Sequence, residues 1–292
     1  MREAEWWERF SDIATKQWEL TPRLNRIVRE EYLADMAIRL HRFGGRLLEI
    51  GCGSGWVGMR AAGHDMTLLG VDPSPAQIAK ARNAAREASL ADAEFVIGGV
   101  ADLNPQVQYD AIVIHAVLHH LTEDEISRLL VAVRGLMTDD GRLYIYEPFL
   151  NPQPNTLLRV AASVVSLAVW SPWAFLHWLG TTLKMGPAAF KAAVRDGWTG
   201  FSPDERPLDR KWLCQALERY FIVGELHYWH AYSLAFAMGC SELPPILADA
   251  AVQATRLLYR LDQWLLRGRL RDYVRGVWTF ASMEARPRLE SG

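Results

Sequence analysis

The sequence predicts an α/β fold built on one open, mostly parallel sheet. Three observations carry that expectation. Short apolar strands alternate with helical periodicities from residue 46 to 146. A glycine cluster, Gly51-Cys52-Gly53-Ser54-Gly55, directly follows the first strand, and an acid, Asp72, closes the second. Continuous apolar strands alternating with helices read as a parallel sheet covered on both faces.

The elements follow in order. Residues 3–42 read as two helices broken at Thr21-Pro22, because Trp6, Phe10, Ile13 and Trp18, then Leu24, Ile27, Val28 and Tyr32, recur at roughly helical spacing. Thr21 before Pro22 suits an N-cap followed by a first-turn proline. Strands are predicted at Arg46–Ile50, Thr67–Val71, Glu94–Ile97, Asp110–Ile114 and Arg142–Tyr146, with helices at Pro75–Ser89 and near 123–137. The alternation stops at Glu147-Pro148. Residues 151–207 are helical in pattern and hydrophobic. A helix at 208–219, a strand at 220–228, a helix at 244–268 and a last strand at Val277–Glu284 complete the chain. The domain reading is 1–44 as N-terminal helices, 45–150 as a cofactor-binding core, 151–207 as a helical insertion, and 208–292 as the rest of the sheet with a second insertion at 232–272.

Composition narrows the function. A chain of 292 residues, 50% hydrophobic, holds enough apolar material for a substantial core. Twelve Trp, nine Tyr and ten Phe exclude a disordered chain. A formal net charge of −2 argues against nucleic acid as a partner. Three cysteines make no disulfide framework, and the opening MREAEWWERF is too charged for a secretory signal, so a cytoplasmic protein is expected. No metal site is expected.

The glycine cluster is the most informative segment. Glycines let the chain turn sharply and let a ligand approach the backbone. The following helix would turn its first N–H groups to that ligand. An acid some twenty residues later suits a ribose diol. Gly53-Ser54-Gly55-Trp56-Val57-Gly58 formally matches the dinucleotide fingerprint GxGxxG. However, Gly51 closes the strand directly, and no second mononucleotide half with its own glycine turn follows.

ExGxGxG from Glu49, the acid ending strand two, YDAIVIHAVLHHL and GRLYIYEP together resemble the class I S-adenosylmethionine-dependent methyltransferases. The resemblance is detailed over residues 45–150. It implies a Rossmann-like seven-stranded sheet with a late antiparallel strand, N-terminal lid helices and helical insertions. It also implies S-adenosyl-L-methionine as cofactor. Position by position, Glu49 matches the acid that orients the loop, and Gly51, Cys52, Gly53 and Gly55 the loop around the amino-acid portion and sulfur. Asp72, followed by Pro73, matches the ribose ligand. His115 occupies a position that lines the methyl-donor channel. The segment Gly99-Val100-Ala101-Asp102 stands at the adenine end but departs from the family pattern: Gly99 falls where Asp is expected, so Asp102 or the Val100 backbone takes that part.

Two residues are the expected catalytic candidates. His115 is the first, because imidazole titrates near neutrality. Glu147, at the end of the fifth strand, is the second, as base or acceptor-orienting carboxylate. His119 and His120 in LHHL read instead as residues serving the start of the next helix.

Val160–Leu179 holds 20 residues without a formal charge, long enough to span a membrane. Pro172 breaks its centre, and Trp170 and Trp173 sit mid-segment. A single crossing would also strand the late β-segments on the wrong side of the bilayer. The helix after Pro244-Pro245 is two-faced: Asp249, Gln253, Arg256, Arg260, Gln263 and Arg267 stand opposite Leu247, Ala251, Ala254, Leu258, Leu261 and Leu265. Six Arg against two Asp over Thr255–Arg275 suit an anionic membrane surface. A self-contained substrate pocket or a homodimer face are the other uses of such segments. The expected acceptor is a hydrophobic, amphiphilic or lipid-like small molecule, with O-methylation of a phenol or quinol first and N- or C-methylation of a soluble metabolite second. Its tail is expected among Trp170, Trp173, Trp178 and the 246–266 helix. A cofactor-binding scaffold without catalysis is the non-enzyme alternative.

Overall fold

The computed structural model describes residues 5–7, 9–10, 20–41, 44–63, 66–150, 191, 204–230, 232–240, 245–267 and 279–288. The hydrophobic stretch 160–179, and with it Trp170, Trp173 and Trp178, lies outside these residues. Among the described residues no helix is long and apolar enough to cross a membrane.

Residues 5–7 and 9–10 are helical, and the second N-terminal helix, predicted to run unbroken after Pro22, is two, α1 (Pro22–Val28) and α2 (Glu30–His41). Pro22 stands at the start of α1 as expected, but the Thr21 hydroxyl makes no capping hydrogen bond. Glu30 and Glu31 in the first turn of α2 favour a new helix start there, since acidic side chains are stabilised at a helix N-terminus. The alternating region then runs β1 (Gly45–Ile50), α3 (Trp56–Ala62), β2 (Met66–Asp72), α4 (Pro75–Glu87), β3 (Ala93–Ile97), β4 (Tyr109–His115), α5 (Glu123–Gly135) and β5 (Met137–Leu150). The caps are legible locally. The Ser74 hydroxyl accepts from the Gln77 N–H at α4, and Thr122 with Glu125 forms a reciprocal box at α5.

The remainder is β6 (Leu208–Asp209), α6 (Arg210–Leu217), β7 (Phe221–Val223), β8 (His227–His230), α7 (Ser233–Cys240), α8 (Pro245–Arg267) and β9 (Thr279–Pro287). The main strand order is β3-β2-β1-β4-β5-β9-β7. The ladders among β1 to β5 are parallel, and β9 is antiparallel to β5. This is the predicted Rossmann-like sheet with one late antiparallel strand, but with nine strands instead of seven, because the short β6 and β8 pair with β5 and β9 outside the main order.

The largest differences from the sequence reading lie in β5 and in the predicted strand 220–228. β5 continues through Pro148, because β9 pairs with it as far as Phe149. Pro148 itself falls between the last pair with β4 (His115 with Tyr146) and the first pair with β6 (Phe149 with Leu208). The predicted strand 220–228 is split at Gly224. Its N–H donates to the Glu284 carbonyl at 2.8 Å, and a Cβ there would stand 2.9 Å from that oxygen.

The sheet divides the core. Leu47, Ala111, Val113, Tyr144 and Tyr146 face one side, packed with residues of α1 to α4, α7 and α8. Leu48, Ile112, Ile114, Leu143 and Ile145 face the other, with residues of α5 and α6. Both faces are apolar because both are covered, and each fully buried Leu or Ile contributes roughly 1.5–3 kcal/mol. β2 and β4 flank β1 on opposite sides, so the chain reverses direction across the sheet at β1. The carboxyl end of such a strand borders the crevice where open α/β sheets bind ligands.

Candidate active site

The glycine cluster occupies that crevice. Gly51, Gly53 and Gly55 all have positive φ, at 66°, 51° and 77°. Gly51 and Cys52 N–H donate to the Val71 carbonyl at 2.8 and 3.0 Å, which folds the loop back over β2. A Cβ on Gly51 would stand 2.4 Å from Val117, and one on Gly55 2.7 Å from the Phe95 ring. At Gly53 the nearest atom to a Cβ is Gln77 Oε1 at 3.9 Å. Packing therefore requires glycine at two positions, while at the third a Cβ would meet Gln77 only at ordinary contact distance.

Two carboxylates hold the loop. Glu49 is buried, and its Oε2 accepts from the Gly58 N–H at 3.0 Å, tying the end of β1 to α3. Burial pushes its carboxyl up to about 8, against the pull of that N–H. Asp72 Oδ2 accepts from Gly53 N–H and Oδ1 from Ser74 N–H, each at 2.9 Å. Burial raises its pKa while both N–H groups lower it. A carboxylate has about four lone-pair positions, so two acceptor positions remain for a ligand.

A cavity of about 610 Å³ opens on this loop. Of the predicted residues, Glu49, Gly51, Cys52, Gly53, Asp72, Pro73 and His115 line it. Gly55 stands behind, starting α3 against Phe95. Gly99, Val100, Ala101 and Asp102 form a short turn outside the lining, and the Asp102 carboxylate accepts from Gly99 N–H at 2.8 Å. Burial drives the Cys52 thiol well above its ordinary range, so it serves as a small apolar wall.

The other half of the cavity is aromatic. The His115 ring stacks on Tyr146 at 4.6 Å with 3° between planes, and Tyr146 stacks on Tyr32 at 4.5 Å and on Phe280 at 5.6 Å. Trp56 meets His115 edge-on. Arg29, at the α1–α2 junction, lies 5.1 Å over the Trp56 ring. Trp7 and Leu20, from the segment predicted as a lid, and Leu234 of α7 also line the cavity. No residue of α8 does, so the predicted acceptor tail along 246–266 is not part of this wall. The buried Tyr146 hydroxyl has no hydrogen-bond partner among the described residues.

Both catalytic expectations need correction. Burial and the charge of Arg29 lower the His115 pKa to about 3, which keeps the ring neutral and makes it a poor proton acceptor. Its Nε2 stands 3.3 Å from the Tyr32 hydroxyl. Glu147 does not line the cavity. It is fully buried, and its Oε1 accepts from Val117 and Leu118 N–H at 2.7 and 2.8 Å. Its Oε2 lies 2.7 Å from Nδ1 of His119, which does line the cavity. Burial pushes the Glu147 carboxyl up to about 7, with the two N–H groups opposing. The residue missed as a site member is therefore His119. No local sequence signal marked it: only the parallel pairing of His115 with Tyr146 in the sheet places residue 147 beside the turn after β4.

Sheet order, glycine loop and acid together define an α/β enzyme that binds a nucleoside cofactor at the β1 crevice. Comparison with known proteins takes this further. Residues 48–143 match the methyltransferase domain family. A ubiquinone biosynthesis O-methyltransferase of Rhodopseudomonas palustris (strain TIE-1) is 27% identical over 185 residues, covering 58% of this chain and 71% of that protein. Among solved structures, the mycolic acid cyclopropane synthase CmaA1, complexed with SAH and CTAB, superposes with a TM-score of 0.60 at 15% identity, over 97% of each chain. Magnesium protoporphyrin IX methyltransferase (ChlM) from Synechocystis PCC 6803, with bound SAH, gives 0.54 at 13%, over 98% of each. The [4+2]-cyclase SpnF gives 0.59 at 16%, over 98% of this chain and 95% of that one. Residues 48–143 thus form a methyltransferase domain, and the chain as a whole has the fold of S-adenosylmethionine-dependent methyltransferases.

Proposed function

We propose that this enzyme methylates a hydroxyl group on a phenol- or quinol-like acceptor with an apolar portion. One observation carries the reading. A single cavity joins the glycine loop and Asp72 to a stacked aromatic wall, with His119 backed by Glu147 on its side. Its volume, about 610 Å³, falls in the range of small-molecule sites. The distant relative named for ubiquinone biosynthesis supports an acceptor of this kind.

The site fits the cofactor. Gly53 lines the cavity without crowding, and Asp72 has acceptor capacity for a sugar diol. Gly51, Cys52, Gly53, Asp72 and Pro73 would hold it. When bound, S-adenosylmethionine supplies a methyl group on a positively charged sulfur, open to attack by an acceptor oxygen. The chain's residues do the rest. Tyr146, Tyr32, His115 and Phe280 form the aromatic wall for the acceptor ring. A phenol keeps its proton at neutral pH, with a pKa near 10, so its oxygen needs a base. Glu147, ionised, accepts the hydrogen bond of His119 Nδ1–H and so fixes the tautomer whose Nε2 is the basic nitrogen for the phenolic proton. The apolar lining excludes water. An acceptor with a long apolar tail resides in a bilayer, so the enzyme works at a membrane surface on the cytoplasmic side.

The test is product analysis. Purified enzyme is incubated with S-adenosylmethionine and, separately, alkyl catechols, alkyl amines and enolisable carbon acids of matched chain length. O-methyl catechols are the expected product. Methylation of the amines or carbon acids alone overturns the O-methyl reading, and no methylation of any acceptor overturns the acceptor class.

A further inference from the structure

The helix α8 is amphipathic in an unexpected sense. Its inward face is settled by polar bonds as well as packing. Tyr259 donates to Glu31 at 2.6 Å, and buried Asp262 accepts from Tyr232 and Ser233 N–H, capping α7. Ala251, Val252, Thr255 and Leu266 are buried on the same side. The opposite side was expected to be polar. Instead Ile246, Leu257, Leu261 and Trp264 are exposed, at 88%, 65%, 44% and 66%. Leu257, Leu261 and Trp264 are four and three residues apart, so they form one stripe. Single exposed apolar residues are ordinary, but an aligned row on one helix marks a contact surface.

Charge selects the occupant. Arg256, Arg260 and Arg267 are exposed along one flank of the stripe. The exposed acid on that flank, Asp249, is paired with Arg23 at 2.7 Å. A second copy docking antiparallel on this face about a two-fold axis would bring the arginines against their own equivalents. Anionic headgroups would satisfy them, while the Leu and Trp side chains enter the acyl boundary. We infer that the outward face of α8 seats the enzyme on the surface of an anionic lipid bilayer. α8 packs on α1 and α7. Asn25 of α1, Arg29 at its end and Leu234 of α7 line the cavity, so the seat lies one helix layer from the acceptor wall. The inference rests on the proposed amphiphilic acceptor only for its purpose, and it is tested separately.

The full chain is floated with phosphatidylcholine vesicles, with and without phosphatidylglycerol. Variants are Leu257→Ser/Leu261→Ser/Trp264→Ser and Arg256→Gln/Arg260→Gln/Arg267→Gln. Binding is expected only with phosphatidylglycerol, weakening with salt. The Gln variant is expected to lose roughly fivefold per arginine, and the Ser variant to lose most binding. Both variants keep the melting temperature, the monomer or oligomer size and turnover of a water-soluble catechol. Equal binding by wild type and the Ser variant, or no flotation of wild type, overturns the inference. So does a Ser variant that melts several degrees lower or changes oligomeric size, because the stripe is then covered by this chain or a second copy. Loss of catechol turnover in wild type overturns the acceptor reading alone.

Discussion

Replacing Glu147 by Gln separates its structural part from the catalytic one proposed for it. The side-chain oxygen of Gln still accepts from Val117 and Leu118 N–H, which Glu147 Oε1 does at 2.7 and 2.8 Å. The NH₂ group then faces His119 Nδ1, where Oε2 stood at 2.7 Å. A donor there turns Nδ1 into an acceptor and moves the ring proton to Nε2, so the imidazole can no longer take the acceptor's proton. Loss of a general base costs about 10²- to 10⁴-fold in kcat, equivalent to roughly 3–5 kcal/mol of barrier. The pH dependence follows with its sign. The Glu147 carboxyl is held up to about 7, so protonated Glu147 below that pH resembles Gln, and kcat of the wild type rises as pH increases through 7. The variant stays at the low-pH rate throughout. The assay is single-turnover methylation of an alkyl catechol from pH 6 to 8, with S-adenosylhomocysteine affinity measured by calorimetry as the control. Glu147→Ala differs: it leaves two backbone N–H groups without their acceptor, at about 1–3 kcal/mol each, and lowers the melting temperature as well. A Gln variant within about threefold of wild type at pH 8, where a lost base should cost at least a hundredfold, would refute the base assignment.

Three further outcomes are expected. Asp72→Ala releases Gly53 and Ser74 N–H and removes the sugar ligand, so calorimetric affinity for S-adenosylhomocysteine should fall roughly 10- to 100-fold; unchanged affinity would count against Asp72 as a ligand. Gly58→Ala places a Cβ 2.4 Å from Glu49 Oε2, and should destabilise the protein by about 1–3 kcal/mol in chemical denaturation. Glu49 has a folded pKa near 8 against an ordinary 4.5, so its contribution is present at acid pH and lost as pH rises toward 8; Glu49→Gln should flatten the decline of denaturation free energy over that window, and an unaltered slope would refute the assignment.

Much of this protein was legible in the order of its residues. Apolar strands with helices between them dictate a parallel sheet, because only such strands are buried on both faces. Glycines between RLLEI and a helix dictate a tight loop at a strand end, and its contacts with Val117 and Phe95 bear that out. Those signals are local, set by periodicity and backbone freedom. The acceptor wall was not legible. Tyr32, Tyr146 and Phe280 lie far apart in the chain, and each reads alone as an ordinary core aromatic. The roles of His115, Glu147 and His119 were likewise decided by tertiary environment. Burial beside Arg29 disables one imidazole, and the β4–β5 register delivers a carboxylate to another. The face that α8 turns inward was chosen by Glu31, Tyr232 and Ser233, partners on other elements, against the hydrophobic pattern of the helix itself. A sequence determines which segments become strands, helices and turns; which side chains meet, and what that does to their protons, depends on the long-range packing that brings those segments together.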